Sequence, residues 1–232
     1  MKLLPNGIAV IEGDTHISKW VEQSGRLDHD QNTLPLLRPY IRPGSEVIDI
    51  GAFIGDHTVF YASIVGEKGH VYAFEPNVTA FQCLKHNTRH CNIPNTNVQC
   101  ILAGASDRRH HASMAFDANA GASYMREATQ GVACYPVDML GLQDVSFIKI
   151  DCEGYEPAAL RGLIQTIELC QPAMLIEVND GALQRNGSSA SELLRQVGDM
   201  GYKYRNVYPG QECAGPQFDI LAIPLHREWV LQ

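Results

Sequence analysis

The stretch Val47-Ile48-Asp49-Ile50-Gly51-Ala52-Phe53-Ile54-Gly55 decides how the chain is read. A β-branched run ends in Asp49-Ile50, two glycines follow, and an apolar helical pattern resumes at Val59. That order predicts a first parallel strand turning sharply into a helix, where a doubly wound sheet receives a nucleotide-like ligand. Glycine at such a turn lets the backbone approach the ligand with no Cβ in the way. The spacing is Gly-x-x-x-Gly, however, and the dinucleotide fingerprint would want glycine where Phe53 and Asp56 stand. A bulky ring and an acid at a helix entrance are poor company for a pyrophosphate, which seeks bare N–H groups and positive potential. A cationic cofactor without phosphates suits them better. S-adenosylmethionine is such a molecule.

Working outward, 232 residues suffice for one α/β domain with its own core. The net charge of −8 argues against a nucleic-acid partner, because phosphate recognition calls for a basic face. Seven cysteines form no Cys-x-x-Cys pair, which reads as scattered free thiols in a reducing compartment. No apolar leader precedes Pro5 and no apolar run is long enough to span a bilayer, so the expectation is a cytoplasmic protein without a membrane partner.

From Glu46 the chain alternates strand and helix. Strands are expected at Val47–Ile50, Val71–Glu75, Val98–Ala103, Val145–Ile150 and Ala173–Val178, with helices at 56–65, from Asn77, from Pro157, and from the capping pattern Ser189-Ala-Ser-Glu192. Leu160, Leu163, Ile164 and Ile167 make one apolar stripe at helical spacing. Tyr202–Val207 and Phe218–Ile223 close the chain as a hairpin. The sum is a Rossmann-like α/β fold, a seven-stranded mostly parallel sheet with one antiparallel strand and helices on both faces. Residues 1–41 read as an N-terminal extension or lid and 42–232 as the main domain. Within it, the polar, turn-rich block 104–140 breaks the rhythm and reads as an inserted substrate loop with hairpin strands at Ser113–Phe116 and Val132–Val137.

Glu75 ends the second strand, where an acid accepts hydrogen bonds from a ribose diol. Together with the glycine turn it leads to a recognisable pattern. Val47–Gly55, Tyr72-Ala-Phe-Glu-Pro76, Ala105-Ser-Asp107 and Phe147-Ile-Lys-Ile-Asp-Cys-Glu-Gly-Tyr-Glu156 resemble the FkbM family of class I S-adenosylmethionine-dependent methyltransferases, over roughly residues 45–180. The resemblance implies methyl transfer to oxygen, on a hydroxyl of a small molecule or saccharide such as a sugar or polyketide. It implies that Asp49, Gly51, Ala52, Phe53 and Gly55 wrap the methionine end of the cofactor, that Glu75 with Pro76 holds the ribose, and that Ala105 and Ser106 flank the adenine.

Asp151 ends the fourth strand beside the cofactor turn and is expected at the reacting centre, as base, hydroxyl-orienting acceptor or metal ligand. Asp151, Glu153 and Glu177 offer hard oxygen ligands at adjacent strand ends, a set that suits Mg²⁺. The plainer alternative has Glu153 capping the following helix and Glu177 bonding loop backbone. His29 is a second candidate base, its tautomer set by Asp28 and Asp30, ahead of His57 in the turn after Gly55. Asn119, Ser123 and Tyr124 are candidate substrate contacts. Two other readings stay open at this point: an NAD-type oxidoreductase, which lacks its glycine, and a Rossmann-like module without catalysis.

Overall fold

The computed structural model describes residues 1–91 and 97–229. The N-terminal part holds β1 (Lys2–Leu3), β2 (Ala9–Val10), α1 (Ile17–Ser24) and α2 (Leu34–Leu37). The main alternation follows as β3 (Glu46–Ile50), α3 (Asp56–Val65), β4 (His70–Phe74), α4 (Val78–His90) and β5 (Asn97–Ile101). Next come β6 (Gly104–Ala105), β7 (His110–Ala115), β8 (Tyr124–Ala128) and β9 (Val132–Tyr135). The second half contains β10 (Val145–Ile150), α5 (Glu156–Arg161), α6 (Ile164–Cys170), β11 (Ala173–Asn179), α7 (Asp180–Arg185), α8 (Ala190–Asp199), β12 (Tyr202–Asn206) and β13 (Gln217–Pro224).

Seven strands form the central sheet in the order β12-β13-β11-β10-β3-β4-β5. β13 runs antiparallel to both its neighbours, while β11, β10, β3, β4 and β5 pair in parallel. The fold is the expected one. Its central strands are covered on both faces, which is why β10 is buried along its whole length, its apolar residues interrupted only by the buried Ser146 and Lys149. Alternate residues serve opposite faces: Ile48, Ile148 and Ile150 pack with Leu160, Leu163 and Leu193, whereas Val47 and Phe147 pack with Tyr61, Val65 and Leu221.

Local signals set the helix starts. Asn77 caps α4, its side chain accepting from the N–H groups of Thr79 and Ala80, and Ser189 caps α8 by accepting from Glu192 N–H. The single helix expected after Pro157 is broken in two. Gly162 crosses the base of the insertion so closely that a Cβ there would lie 2.0 Å from the Ser106 carbonyl, and α5 ends at that crossing. The apolar stripe breaks with it, leaving Ile164 on the surface.

The insertion is more than the expected hairpin: it forms a four-stranded sheet ordered β6-β9-β7-β8, with Ala112, Met125 and Cys134 as its small core. The chain start is also built in. Leu4, Ile8, Val10, Val21 and Leu27 share a core cluster with Phe53, Ile54, Ala80 and Cys83. Asn87 of α4 fastens it, donating to the carbonyls of Ala9 and Ile54 and accepting from Ala9 N–H. Among the described residues no helix is long and apolar enough to cross a membrane, and all seven cysteines are free.

Candidate functional site

A cavity of about 520 Å³ opens at the carboxyl ends of β3, β4, β10 and β11, with the insertion and the chain start over it. This is the crevice where open parallel sheets bind ligands. Gly51 makes the first turn possible. It sits at φ +77°, and a Cβ would lie 1.7 Å from the Asp151 carbonyl oxygen, so the ends of β3 and β10 touch through it. Phe53 follows at φ +48°, an uncommon conformation for a side chain of its size. Its N–H is aimed at Glu75 Oε2 (2.8 Å), while Asn77 N–H donates to Glu75 Oε1 (2.7 Å). Burial drives the Glu75 pKa up to about 7 despite those two hydrogen bonds. Each oxygen of Glu75 keeps a second lone pair, and Phe74, Ala103 and Ala105 line the adjoining wall.

Lys149 organises the floor. Its ammonium is buried, donates to the Gly51 carbonyl at 3.0 Å, and lies 3.0 Å from Asp151 Oδ2 and 3.9 Å from Asp49 Oδ1. Burial alone would lower its pKa, but the Asp151 and Asp49 carboxylates outweigh that and raise it. Asp49 is fully buried, its Oδ2 accepting from the Thr58 hydroxyl at 2.6 Å and its Oδ1 without a hydrogen bond. Burial raises the Asp49 pKa against the pull of Lys149.

Carboxylates gather at the far end. Asp151, Glu153 and Glu177 each place an oxygen within 4.8 Å of the others, and Asp219 lines the same region from β13, paired across the sheet with Glu177. Burial followed by the Asp151 charge pushes Glu153 up to about 7, Glu177 up to about 10 and Asp219 up to about 6. Glu156 closes the turn beneath, accepting from Cys152 and Gly154 N–H. That leaves α5 without a side-chain cap, so the cap expected from Glu153 is absent, and Glu177 accepts from the Gln217 side chain rather than loop backbone.

The roof is stitched from distant segments. Asp14 accepts from Ser18 N–H within α1 and from Ala120 N–H in the insertion, and Thr15 donates to the Ala118 carbonyl. Asp30 reaches down to His57 at 3.6 Å, and His57 Nδ1 meets the Tyr61 hydroxyl at 3.0 Å. Burial opposes charge on His57, but the Asp30 hydrogen bond and the nearby Asp56 raise its pKa overall. The same contact lowers that of Asp30 against its own burial.

A family model described as the methyltransferase FkbM domain matches residues 49–204. The chain belongs to the FkbM methyltransferase family. No curated protein matches it. Solved structures similar to this FkbM methyltransferase include an rRNA methylase from Streptococcus thermophilus (TM-score 0.52, 15% identity, 84% of this chain and 95% of that one). Fibrillarin from Aeropyrum pernix, with natively bound S-adenosyl-L-methionine, is similar over 85% of this chain and 75% of its own, with TM-score 0.51 and 14% identity. An S-adenosylmethionine-dependent O-methyltransferase from Thermotoga maritima aligns over 90% and 71%, with TM-score 0.50 and 11% identity. At such identities the likeness shows the fold, that of a class I S-adenosylmethionine-dependent methyltransferase.

Within the FkbM domain the candidate residues divide by position. Gly51, Phe53, Glu75, Pro76, Ala105 and Asp151 line the cavity. Asp49, Ala52, Gly55 and Ser106 stand behind its wall: Asp49 in the Thr58–Lys149 pocket, Ala52 packed with Ala73 and Leu84, Gly55 as the start of α3, and Ser106 beneath Gly162. Asn119 and Ser123 line the roof, but Tyr124 does not, its ring being covered by the guanidinium groups of Arg126 and Arg185. His29 lines the cavity edge-on to His16 and Trp20, yet its expected partners are taken, Asp28 by Arg26 and Asp30 by His57. The oriented histidine is therefore His57. Asp219 was missed, although its place in the closing antiparallel strand beside Glu177 is a readable signal.

Proposed function

We propose that this FkbM methyltransferase transfers the methyl group of S-adenosylmethionine to a hydroxyl oxygen of a small molecule or saccharide. The observation that carries the reading is the two-ended cavity, an apolar slot bounded by Glu75 at one end and converging carboxylates at the other. The residues fit the cofactor. Phe74, Ala103 and Ala105 offer an adenine-sized apolar wall, and the free lone pairs of Glu75 suit a ribose diol. When bound, the cofactor supplies an electrophilic methyl group on a cationic sulfur, a charge the acidic surroundings favour.

Asp151 is the residue that orients the acceptor and takes up its proton. Lys149 holds one of its oxygens while the side chain stays 39% exposed to the cavity. The neighbouring carboxyl groups exchange hydrogen bonds with further hydroxyls, and the chain's net charge of −8 disfavours a phosphodiester backbone, which supports a polyol over a nucleic acid. Residues 1–41 and 104–140 form the substrate-selecting roof, where Asn119 and Ser123 contact the acceptor and His29 is a second proton acceptor. The free thiols support a reducing, cytoplasmic setting.

Calorimetric titration with S-adenosylmethionine and S-adenosylhomocysteine, with NAD as control, tests the cofactor. Glycosides and polyketide alcohols then test the acceptor. Asp151→Asn is expected to lose about 100-fold or more in turnover while keeping S-adenosylhomocysteine affinity. Binding of NAD alone would overturn the reading.

A further inference from the structure

We propose that Asp151, Glu153 and Glu177 form a binding site for a hard divalent cation of the Mg²⁺ or Mn²⁺ type at the acceptor end of the cavity. Three carboxylates from two neighbouring strand ends place oxygens within 4.8 Å of one another. Around an octahedral cation with metal–oxygen bonds of about 2.0–2.6 Å, opposite ligand oxygens stand roughly 4–5 Å apart and adjacent ones roughly 3–3.7 Å, so the three side chains need draw together by at most about 2 Å to share one ion.

The second observation is Glu177 itself. It is 7% exposed, its Oε1 is occupied by the Gln217 amide at 2.6 Å, and its Oε2 is buried with no hydrogen-bond partner. Oε2 is therefore the oxygen left to serve the cluster. A buried carboxylate oxygen without donor or cation is costly, and a ligand there relieves the cost.

The basic groups nearby leave the cluster open. Lys149 engages Asp151 through Oδ2 at 3.0 Å, leaving Oδ1 free. Arg185 approaches Glu153 Oε2 only to 3.8 Å. The loop carrying two of the ligands is fixed from below by Glu156, through the N–H groups of Cys152 and Gly154. The donors are all oxygen, which selects a hard cation over zinc or copper.

Three protein oxygens leave about three positions of an octahedron for water or acceptor oxygens. An acceptor with two adjacent oxygens, a vicinal diol or an α-hydroxy acid, would chelate there, and its bound hydroxyl would lose its proton more readily. That use rests on the O-methyltransferase reading; the cation site does not.

The test is Mn²⁺ titration of the chelator-treated full chain, followed by the loss of the free-ion paramagnetic resonance signal, with Mg²⁺ as competitor. S-adenosylhomocysteine is titrated in parallel. One Mn²⁺ per chain, displaced by Mg²⁺, is expected, and Glu177→Gln and Glu153→Gln should each weaken binding about tenfold or more. Both variants should melt cooperatively and keep S-adenosylhomocysteine affinity. Absence of Mn²⁺ binding in a parent chain that binds S-adenosylhomocysteine would overturn the site alone. So would Mn²⁺ affinity unchanged in both variants. Mn²⁺ binding without S-adenosylhomocysteine binding would instead sink the methyltransferase chemistry and leave the site standing.

Discussion

Replacing Lys149 by methionine removes the cation between two acids and keeps most of its volume. The contact with Asp151 is partly solvated, with the Asp151 side chain 39% exposed, so its loss is expected to cost less than about 1 kcal/mol. The contact with Asp49 is different, because Asp49 is fully buried at 3.9 Å. At an effective dielectric near 20, a unit pair at that distance is worth about 4 kcal/mol. Asp49 Oδ1 has no acceptor beside it, so a proton there would point at nothing, which favours the ionised form next to Lys149. Without Lys149 the carboxylate escapes by taking up a proton, and that escape caps the penalty. Protonating an ordinary aspartate costs about 4 kcal/mol at pH 7 and about 1–2 kcal/mol at pH 5.

The variant is therefore expected to lose about 3–4 kcal/mol at pH 7, and much less at pH 5. The sign follows from proton linkage. The variant's Asp49 pKa lies further above its unfolded value, so the folded state holds the extra proton and stability falls as pH rises. Urea unfolding of the parent, Lys149→Met, Asp49→Asn and the double variant at pH 5 and pH 7 measures it. The double variant should recover most of the loss. A penalty below about 1 kcal/mol at pH 7, an equal penalty at both pH values, or no recovery would each refute the argument.

Glu75→Gln keeps one acceptor oxygen for two N–H donors, so we expect a loss of about 1–3 kcal/mol in stability, and S-adenosylhomocysteine affinity down by about 10–100-fold in calorimetry. Unchanged affinity would place the ribose elsewhere. Asn87→Ala strands the buried backbone of Ala9 and Ile54; a loss of about 3 kcal/mol and faster proteolytic release of the chain start should follow. The His57–Asp30 contact should stabilise the parent over His57→Gln by about 1 kcal/mol between roughly pH 4 and 6.5. The raised His57 pKa makes that advantage fade as pH rises through it, and the lowered Asp30 pKa makes it fade only in strong acid. Urea unfolding at pH 5.5 and pH 9 giving the same difference would rule the contact out as the source.

Much of the architecture was legible because its signals are local. Short, mostly apolar runs rich in β-branched residues marked β3, β10 and β11 despite the single polar residues within them, and Asn77 and Ser189 marked helix starts with caps only one turn long. Gly51 and Glu75 were legible as a turn and a strand end. What escaped depends on contacts between distant positions. Gly162 sits within an unbroken helical stripe, and only the crossing of Ser106 ends the helix there. Tyr124–Ala128 carries Arg126 and Glu127 among few apolar residues, so nothing in its own pattern marks an edge strand of a separate sheet. The flanking acids of His29 looked like its partners because sequence neighbours are visible, whereas the Asp30–His57 contact spans 27 positions.

Asp14 has a consequence for how such a protein diversifies. One carboxylate takes N–H groups from both α1 and the loop at Ala120, so the chain start and the mid-chain insertion over the cavity are bonded together. A chimera that imports residues 104–140 alone from a homologue brings a roof whose docking point was shaped by another partner. Recombination that changes acceptor choice should therefore succeed when both pieces travel together. An evolutionary or laboratory crossover placed between them would break a module that is discontinuous in sequence and continuous in space.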